Sequence, residues 1–322
     1  MYDWIKRGAV ALGCALSMSA QGAAWPAKPV TLLVGFPPGQ ATDAVARMLA
    51  ERLSKNLQQP VVVENRPGQG GSIALAALAK APADGYTMML SATASLVTNP
   101  HLYKSTGYQT LSDFSPVGLV ADLPMILVAN AAAPFNDMAE LRAYARSHPG
   151  ALNYSSSGNG TLSHLGMVML QREMDVKLTH IPYQGSVKAM TDMIAGNVTV
   201  GLDTVAVTLP HILSGRLKAI AVAADQRLPQ LPDVPTVAEA GYPDFRAQPW
   251  LGMLYPKGTP VDVVRRMNDE MRAAMTEPAM TRSLQSIGAV PRTDTSEAFA
   301  ALLRSEYSHW GELVRLSGSR VD

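Results

Sequence analysis

Apolar and polar positions fall along this chain in blocks that predict strands and helices in turn. Val30 to Val34 is an apolar run of strand length that breaks at Phe36-Pro37-Pro38-Gly39-Gln40. Beyond the break, Val45, Met48, Leu49, Leu53 and Leu57 recur at i, i+3, i+4, i+8 and i+12. That stripe predicts an amphipathic helix packed on a sheet. A β-branched run at Pro60 to Asn65, a glycine turn at Gly68 to Ser72, an alanine-rich helix to about Lys80 and a strand at Tyr86 to Leu90 follow. Strand, helix, strand, helix, strand is the order of an α/β unit with parallel strands.

The pattern changes from Phe114. Val117 to Val120 and Met125 to Ala129 read as two strands kinked at Leu123-Pro124. A second α/β set follows. It has helices at Met138 to Ser147, Ser163 to about Met174 and Ser186 to Ala195, and strands at Leu152 to Ser155, Val198 to Leu202 and Leu217 to Ala223, with a helical segment ending at Gly215. Leu228 to Gln248, rich in proline and charge, reads as a surface connection. Trp250 to Tyr255 is a last strand, and Thr259-Pro260 opens a helix with proline expected at its first position. The final helix, from Ser296, carries Phe299, Leu302, Leu303, Trp310, Leu313 and Val314 on one side, a docking face.

Composition narrows this picture. Lys6 and Arg7 precede a weakly charged apolar run that ends in Gly22-Ala23-Ala24 before Trp25-Pro26. This reads as a signal peptide over residues 1–24, cleaved after Ala24, and predicts a periplasmic protein. The run is shorter than the roughly 20 apolar residues of a membrane span. Its removal takes away Lys6, Arg7, Asp3 and the single cysteine, Cys14, and turns 27 basic and 26 acidic residues into 25 of each. A neutral chain without basic runs argues against nucleic acid as a partner. Without cysteine, disulfides and thiol chemistry drop out. At about 150 residues per domain, the remaining length suggests two.

Candidate chemistry concentrates in loops. In open α/β sheets ligands bind at the C-terminal ends of the strands. The loops expected there are Gly35 to Asp43, Ser91 to Ser95, Ser155 to Thr161, Pro182 to Gly185 and Leu202 to Thr204, and none contains lysine or arginine. An anionic ligand would therefore be held by backbone N–H groups, hydroxyls, water and helix N-termini, each dipole contributing roughly 0.3–1 kcal/mol. The stretch Ser155-Ser156-Ser157-Gly158-Asn159-Gly160-Thr161 suits that purpose, and also reads as a flexible loop with a serine cap. Its serines lack the glycine frame of a nucleophile elbow. His164 reads as a structural residue or as a base, and Asp43 and Asp203 as caps or clamps or as acids. Gly68-Gln69-Gly70-Gly71-Ser72 lacks the spacing of a nucleotide loop. The six histidines are scattered, with no metal-ligand spacing, and no cofactor is implied.

Several segments together resemble the Bug/TctC family, periplasmic solute receptors of tripartite tricarboxylate transporters. They include GFPPGQATDAVARMLAERL, VVVENRPGQGGSIALAALAKAPADGYTMML, LNYSSSGNGTLSHL, HIPYQGSVKAMTDMIAGNVTVGLD and LPDVPTVAEAGYPDF. The resemblance implies a type II periplasmic-binding fold, two α/β lobes closing on a small carboxylate, with residues 25–118 and 250–322 in one lobe and 119–249 in the other. It maps the pocket onto Phe36, Pro38, Gly39, Gln40, Thr42 and Asp43, Ser91 and Thr93, Ser156, Ser157, Gly158, Asn159, Gly160 and Thr161, Tyr183, Gln184 and Gly185, and Asp203 and Thr204. It also implies a monomer that hands an organic acid to integral-membrane permease subunits. Gln40 departs from the family, which usually has a second glycine there; its side chain is expected to project towards the cleft. The other functions weighed are a ligand-sensing subunit of a receptor kinase and a secreted hydrolase using Ser157 and His164.

Overall fold

The structure, a computed structural model, describes residues 25–318 other than Arg246, together with residue 320; the leader read at residues 1–24 lies outside the described residues. In chain order the elements are β1 (Val30–Val34), α1 (Ala41–Leu57), β2 (Val61–Asn65), α2 (Ser72–Ala79), β3 (Thr87–Ala92), α3 (Asn99–Leu102), β4 (Phe114–Asp122) and β5 (Met125–Asn130). They continue with α4 (Met138–Ser147), β6 (Asn153–Ser156), α5 (Leu162–Met174), β7 (Thr179–Pro182), α6 (Ser186–Ile194), β8 (Val200–Thr204), α7 (Val205–Leu213) and β9 (Leu217–Ala223). The last are β10 (Trp250–Pro256), α8 (Val261–Met275), α9 (Pro278–Ser286), β11 (Val290–Pro291) and α10 (Ser296–Ser317). Among the described residues no helix is long and apolar enough to cross a membrane.

Two mixed sheets form the two lobes expected from the sequence. One runs β11-β4-β10-β3-β1-β2, the other β7-β6-β8-β5-β9. In the first, β1 pairs in parallel with β2 and β3, while β10 is antiparallel to both β3 and β4. In the second, β6 is parallel to β7 and β8, and β5 antiparallel to β8 and β9. Each sheet is covered on both faces. Val45, Leu49 and Leu53 of α1 pack with Met267 and Met271 of α8 on one face of the first sheet. Met190 and Met193 of α6 cover one face of the second. A single apolar cluster runs between the remaining faces, joining Leu75, Phe299 and Trp310 to Leu127, Tyr154 and Leu165.

The register places the loops. The chain leaves the first sheet at Asp122, the C-terminal end of β4, and enters the second at Met125, which pairs with Thr204 at the C-terminal end of β8. It returns from Ala223, beside Met125, to Trp250, beside Asp122. Both crossings therefore leave from the edges where β1, β3, β6, β7 and β8 end. These two edges face each other, and the crossing segments are tied where Leu123 N–H donates to the Pro249 carbonyl at 2.7 Å.

Three expectations are corrected. Pro260 stands at the N-cap of α8 and not at its first turn, because the Thr259 hydroxyl donates to the Pro256 carbonyl and closes a turn before the helix. The connection from Leu228 to Gln248 is not only a surface segment: Leu228, Val237, Phe245 and Ala247 are buried in the core. Strands β7 and β11 and helices α3 and α9 form where no element was expected, so the strand at Trp250 is not the last: Val290–Pro291 adds to the edge of the first sheet by pairing with β4.

Candidate functional site

The first-lobe wall begins at Gly35, where the chain turns out of β1. A Cβ here would stand 2.5 Å from the Gly71 Cα, so two backbones meet where only glycine fits. Gly70 and Gly71 are held in turn. The Ser95 hydroxyl donates to the Gly70 carbonyl at 2.7 Å, and Asn99 Nδ2 donates to the Gln69 carbonyl and the Ser72 hydroxyl, each at 2.9 Å. The Tyr108 hydroxyl donates to the Ser95 carbonyl and closes the group.

Asp43 is a clamp. Its carboxylate accepts from Gly39 N–H at 2.9 Å, Arg47 Nε at 2.9 Å and Asn65 Nδ2 at 2.8 Å, and Asn65 also reaches the Phe36 carbonyl. Burial works to raise its pKa, but the hydrogen bonds from Arg47, Gly39 and Asn65 outweigh burial and hold it below the usual range. Thr42 is buried beside it. Phe36 is half-buried, Pro38, Gly39 and Gln40 are exposed, and Gln40 stands at the N-cap of α1 in extended backbone without capping it through its side chain.

Ser91 and Thr93 lie beneath this surface. Both are fully buried. Thr93 Oγ1 donates to the Trp250 carbonyl at 2.9 Å and accepts from Trp250 N–H at 2.6 Å, which fastens the end of β3 to the returning crossing strand.

The second-lobe wall is a web of hydroxyls. Ser157 N–H and Oγ both reach Ser163 Oγ at 2.9 Å, and Thr161 Oγ1 donates to the Gly158 carbonyl at 2.7 Å. Thr161 also caps α5 through His164 N–H. The neighbouring loop is zipped on by Tyr183 N–H to the Ser156 carbonyl and Gly185 N–H to the Ser157 carbonyl. The Tyr183 hydroxyl turns to Asp192 at 2.7 Å; burial, then this carboxylate, pushes its pKa up to about 12. Asn159 and Gln184 are exposed.

Asp203 is buried at the end of β8, where its carboxylate accepts from the Ser186 hydroxyl and from Thr204 N–H. Burial raises its pKa despite these bonds. Both junction carboxylates are thus bound to their own chain.

The second-lobe loop touches the first lobe beside α3. A Cβ on Gly160 would lie 2.3 Å from Leu102 Cδ1 of α3, so the second-lobe loop rests directly on the first lobe. Gln40, Asn159 and Gln184 bring neutral amides to the facing edges, and α1, α2, α6 and α7 start there without a side-chain cap. Such helix starts favour anions. For a nucleophile the geometry is unsuitable: Ser157 bonds Ser163 and not His164, whose Nδ1 accepts from Gly160 N–H at 3.0 Å. Residues that the sequence reading passed over are Asn65, Asn99 and Tyr108 behind the first wall and His180 behind the second, while Ser95 and Tyr154 lay in or beside the expected loops without a role of their own. Asn65 sits in the Glu64-Asn65-Arg66-Pro67-Gly68 segment that carried the resemblance, a signal that pointed to it.

The sequence profile described as "Tripartite tricarboxylate transporter family receptor" matches residues 45–318. The chain belongs to this receptor family. It is 36% identical over 310 residues to the protein BugT of Bordetella pertussis, covering 96% of this chain and 94% of BugT. Two solved structures are similar in fold as well as sequence. Rpa4515 of R. palustris, with adipate, is 33% identical with a TM-score of 0.84 over 92% of this chain and 100% of its own. MatC of Rhodopseudomonas palustris, with bound malate, is 32% identical with a TM-score of 0.78 over 90% of this chain and 99% of its own.

Proposed function

We propose that this receptor captures a small organic carboxylate in the periplasm by closing its two lobes, and hands it to integral-membrane permease subunits. It acts as a monomeric binding protein and not as an enzyme, entering the periplasm by cleavage of the 1–24 leader. We divide the lobes at the crossings, with residues up to Asp122 and from Trp250 onward in one and residues from Met125 to Pro249 in the other, a few residues from the boundary expected at 118, because β4 runs to Asp122 and β5 begins at Met125.

The observation that carries this reading is the chemistry of the facing edges. Asp43 and Asp203 are tied to their own chain, and the groups left exposed are neutral amides, glycine backbone and uncapped helix starts. An anion meets donors there without an opposing carboxylate. The bound adipate and malate of the two relatives support a carboxylate as the class of ligand. Within the mapped pocket, Phe36, Pro38, Gly39, Gln40, Ser157, Gly158, Asn159, Gln184, Gly185 and Thr204 are the contact surface. Asp43, Thr93, Ser156, Gly160, Thr161, Tyr183 and Asp203 hold it in place, with Thr42 and Ser91 buried behind it.

Mass spectrometry of small molecules released on denaturing the purified protein tests the proposal. A stoichiometric organic acid is the expected result; a stoichiometric sugar, amine or amino-acid cation would refute it.

A further inference from the structure

His164 and His180 stand side by side behind the second-lobe wall. Their rings stack at 4.0 Å with an interplanar angle of 5°, and Tyr154 stacks on His180 at 4.7 Å. His164 Nδ1 accepts the buried Gly160 N–H at 3.0 Å. An imidazolium carries hydrogen on both nitrogens, so that acceptor exists only in the neutral ring. His180 Nε2 lies 2.7 Å from Ser156 Oγ, and the Ser156 hydroxyl donates to the Gly158 carbonyl at 3.1 Å. This network assigns the hydrogen to His180 Nε2. The two rings therefore hold both ends of the Ser156 to Gly160 turn. Gly160 is at φ +73° and pressed on Leu102 of the other lobe, so its placement also bears on the contact between the lobes at that point.

We propose that His164 and His180 are positioning residues of the second-lobe binding loop, whose neutral, stacked state fixes the loop backbone against the first lobe and makes acid capture fail on acidification. The proposal rests on the reading of residues 156–161 as a ligand wall.

Few titratable groups face the pair. Tyr154 comes from β6, and Asp203 on β8 is bound to Ser186 and Thr204. From α6, Asp192 takes the Tyr183 hydroxyl. From α3, His101 bonds the Tyr307 carbonyl of α10, the helix that also brings Arg304, Glu306, His309, Glu312 and Arg315. Arg172 and Glu173 lie two turns further along α5 itself. Of all these only His180 acts on His164 through its charge: burial first, then His180, pushes the His164 pKa down to about 4, and burial lowers that of His180. A histidine lowered on ordering takes up its proton when the loop is released. Loop order is thus complete above about pH 6.5 and falls as pH drops towards 4, by up to about tenfold per pH unit for each proton.

Unliganded protein labelled with ¹⁵N-glycine provides the test. The Gly160 amide resonance should shift between pH 7.5 and 4.5 while Gly252 in β10 stays in place. His164→Asn, whose Oδ1 supplies an acceptor near the Nδ1 position at every pH, should abolish that shift. A Gly160 resonance that does not respond, responds equally in His164→Asn, or moves only together with Gly252 overturns the proposal. Malate binding gives the functional readout: its loss between pH 7.5 and 4.5 should be at least about threefold larger for the parent than for His164→Asn, since the titration of malate itself is common to both. Equal losses overturn the proposal. Failure of malate to bind at pH 7.5 would count against malate as the ligand, and the glycine titration would still decide the role of the histidines.

Discussion

Asp43 shows how one buried carboxylate organises a wall. Asp43→Ala leaves the Gly39 N–H, Arg47 and Asn65 donors without their acceptor, at a cost of about 1–3 kcal/mol. Urea unfolding at pH 7 measures this loss. Because the Asp43 pKa is lowered on folding, its contribution is present above about pH 3.9 and disappears as pH falls through the folded value. The difference between parent and Asp43→Asn should therefore shrink below about pH 4. Gln40 has the opposite character, exposed at a helix start with an amide able to donate and accept. Gln40→Gly should reorder a ranking of mono-, di- and tricarboxylates while leaving the unfolding midpoint in place; an unaltered ranking would remove Gln40 from specificity. At this scale the sequence displayed the two acids at element junctions, but not whether they faced a ligand or the backbone. That choice depended on Asn65 and Ser186, 22 and 17 residues away, and so on the fold.

At the scale of elements, long periodic segments were legible because their own pattern specifies them. Helices α1, α4 and α10 appear as expected, and Asp137 begins α4 with its side chain on Glu140 N–H. Strand β7 was not legible: only four residues long and partly exposed, Thr179 to Pro182 gains its strand geometry from pairing with β6. The π-helical segment Ala94–Thr98 is likewise set by its tertiary partners, through Ser95 and Tyr108. Gly160 in the α5 loop belongs to this class. Gly160→Ala combines an unfavourable φ with a collision against Leu102 and should destabilise the protein by about 1–3 kcal/mol. Leu102→Ala in the same chain should recover part of that loss relative to the sum of the two single substitutions, measured as a double-mutant cycle. Strict additivity would show that the two lobes do not touch there. The docking stripe of α10 is testable too: Trp310→Ala, at a site 1% exposed, should cost about 3–5 kcal/mol in denaturant unfolding.

At the scale of the whole molecule, the two-lobe architecture could be read from the repeated α/β pattern and the resemblance together, whereas the facing of the two loop edges required the strand register. Both crossings join those edges, so in the proposed closure rotation about Leu123-Pro124 and Pro249-Trp250 would change the space between them and leave each sheet intact. Thr93, on the Trp250 backbone, and Gly160, on Leu102, sit on either side of that motion. Under the proposed closure the ligand becomes part of the interface, and its binding energy then appears as stability of the whole chain. Thermal unfolding of ligand-free protein against a panel of mono-, di- and tricarboxylates tests the central claim most directly. At a hundred times its dissociation constant, the captured acid should stabilise the fold by about 2.7 kcal/mol. An unchanged unfolding temperature with every acid in the panel would contradict the assignment of this cleft to carboxylates.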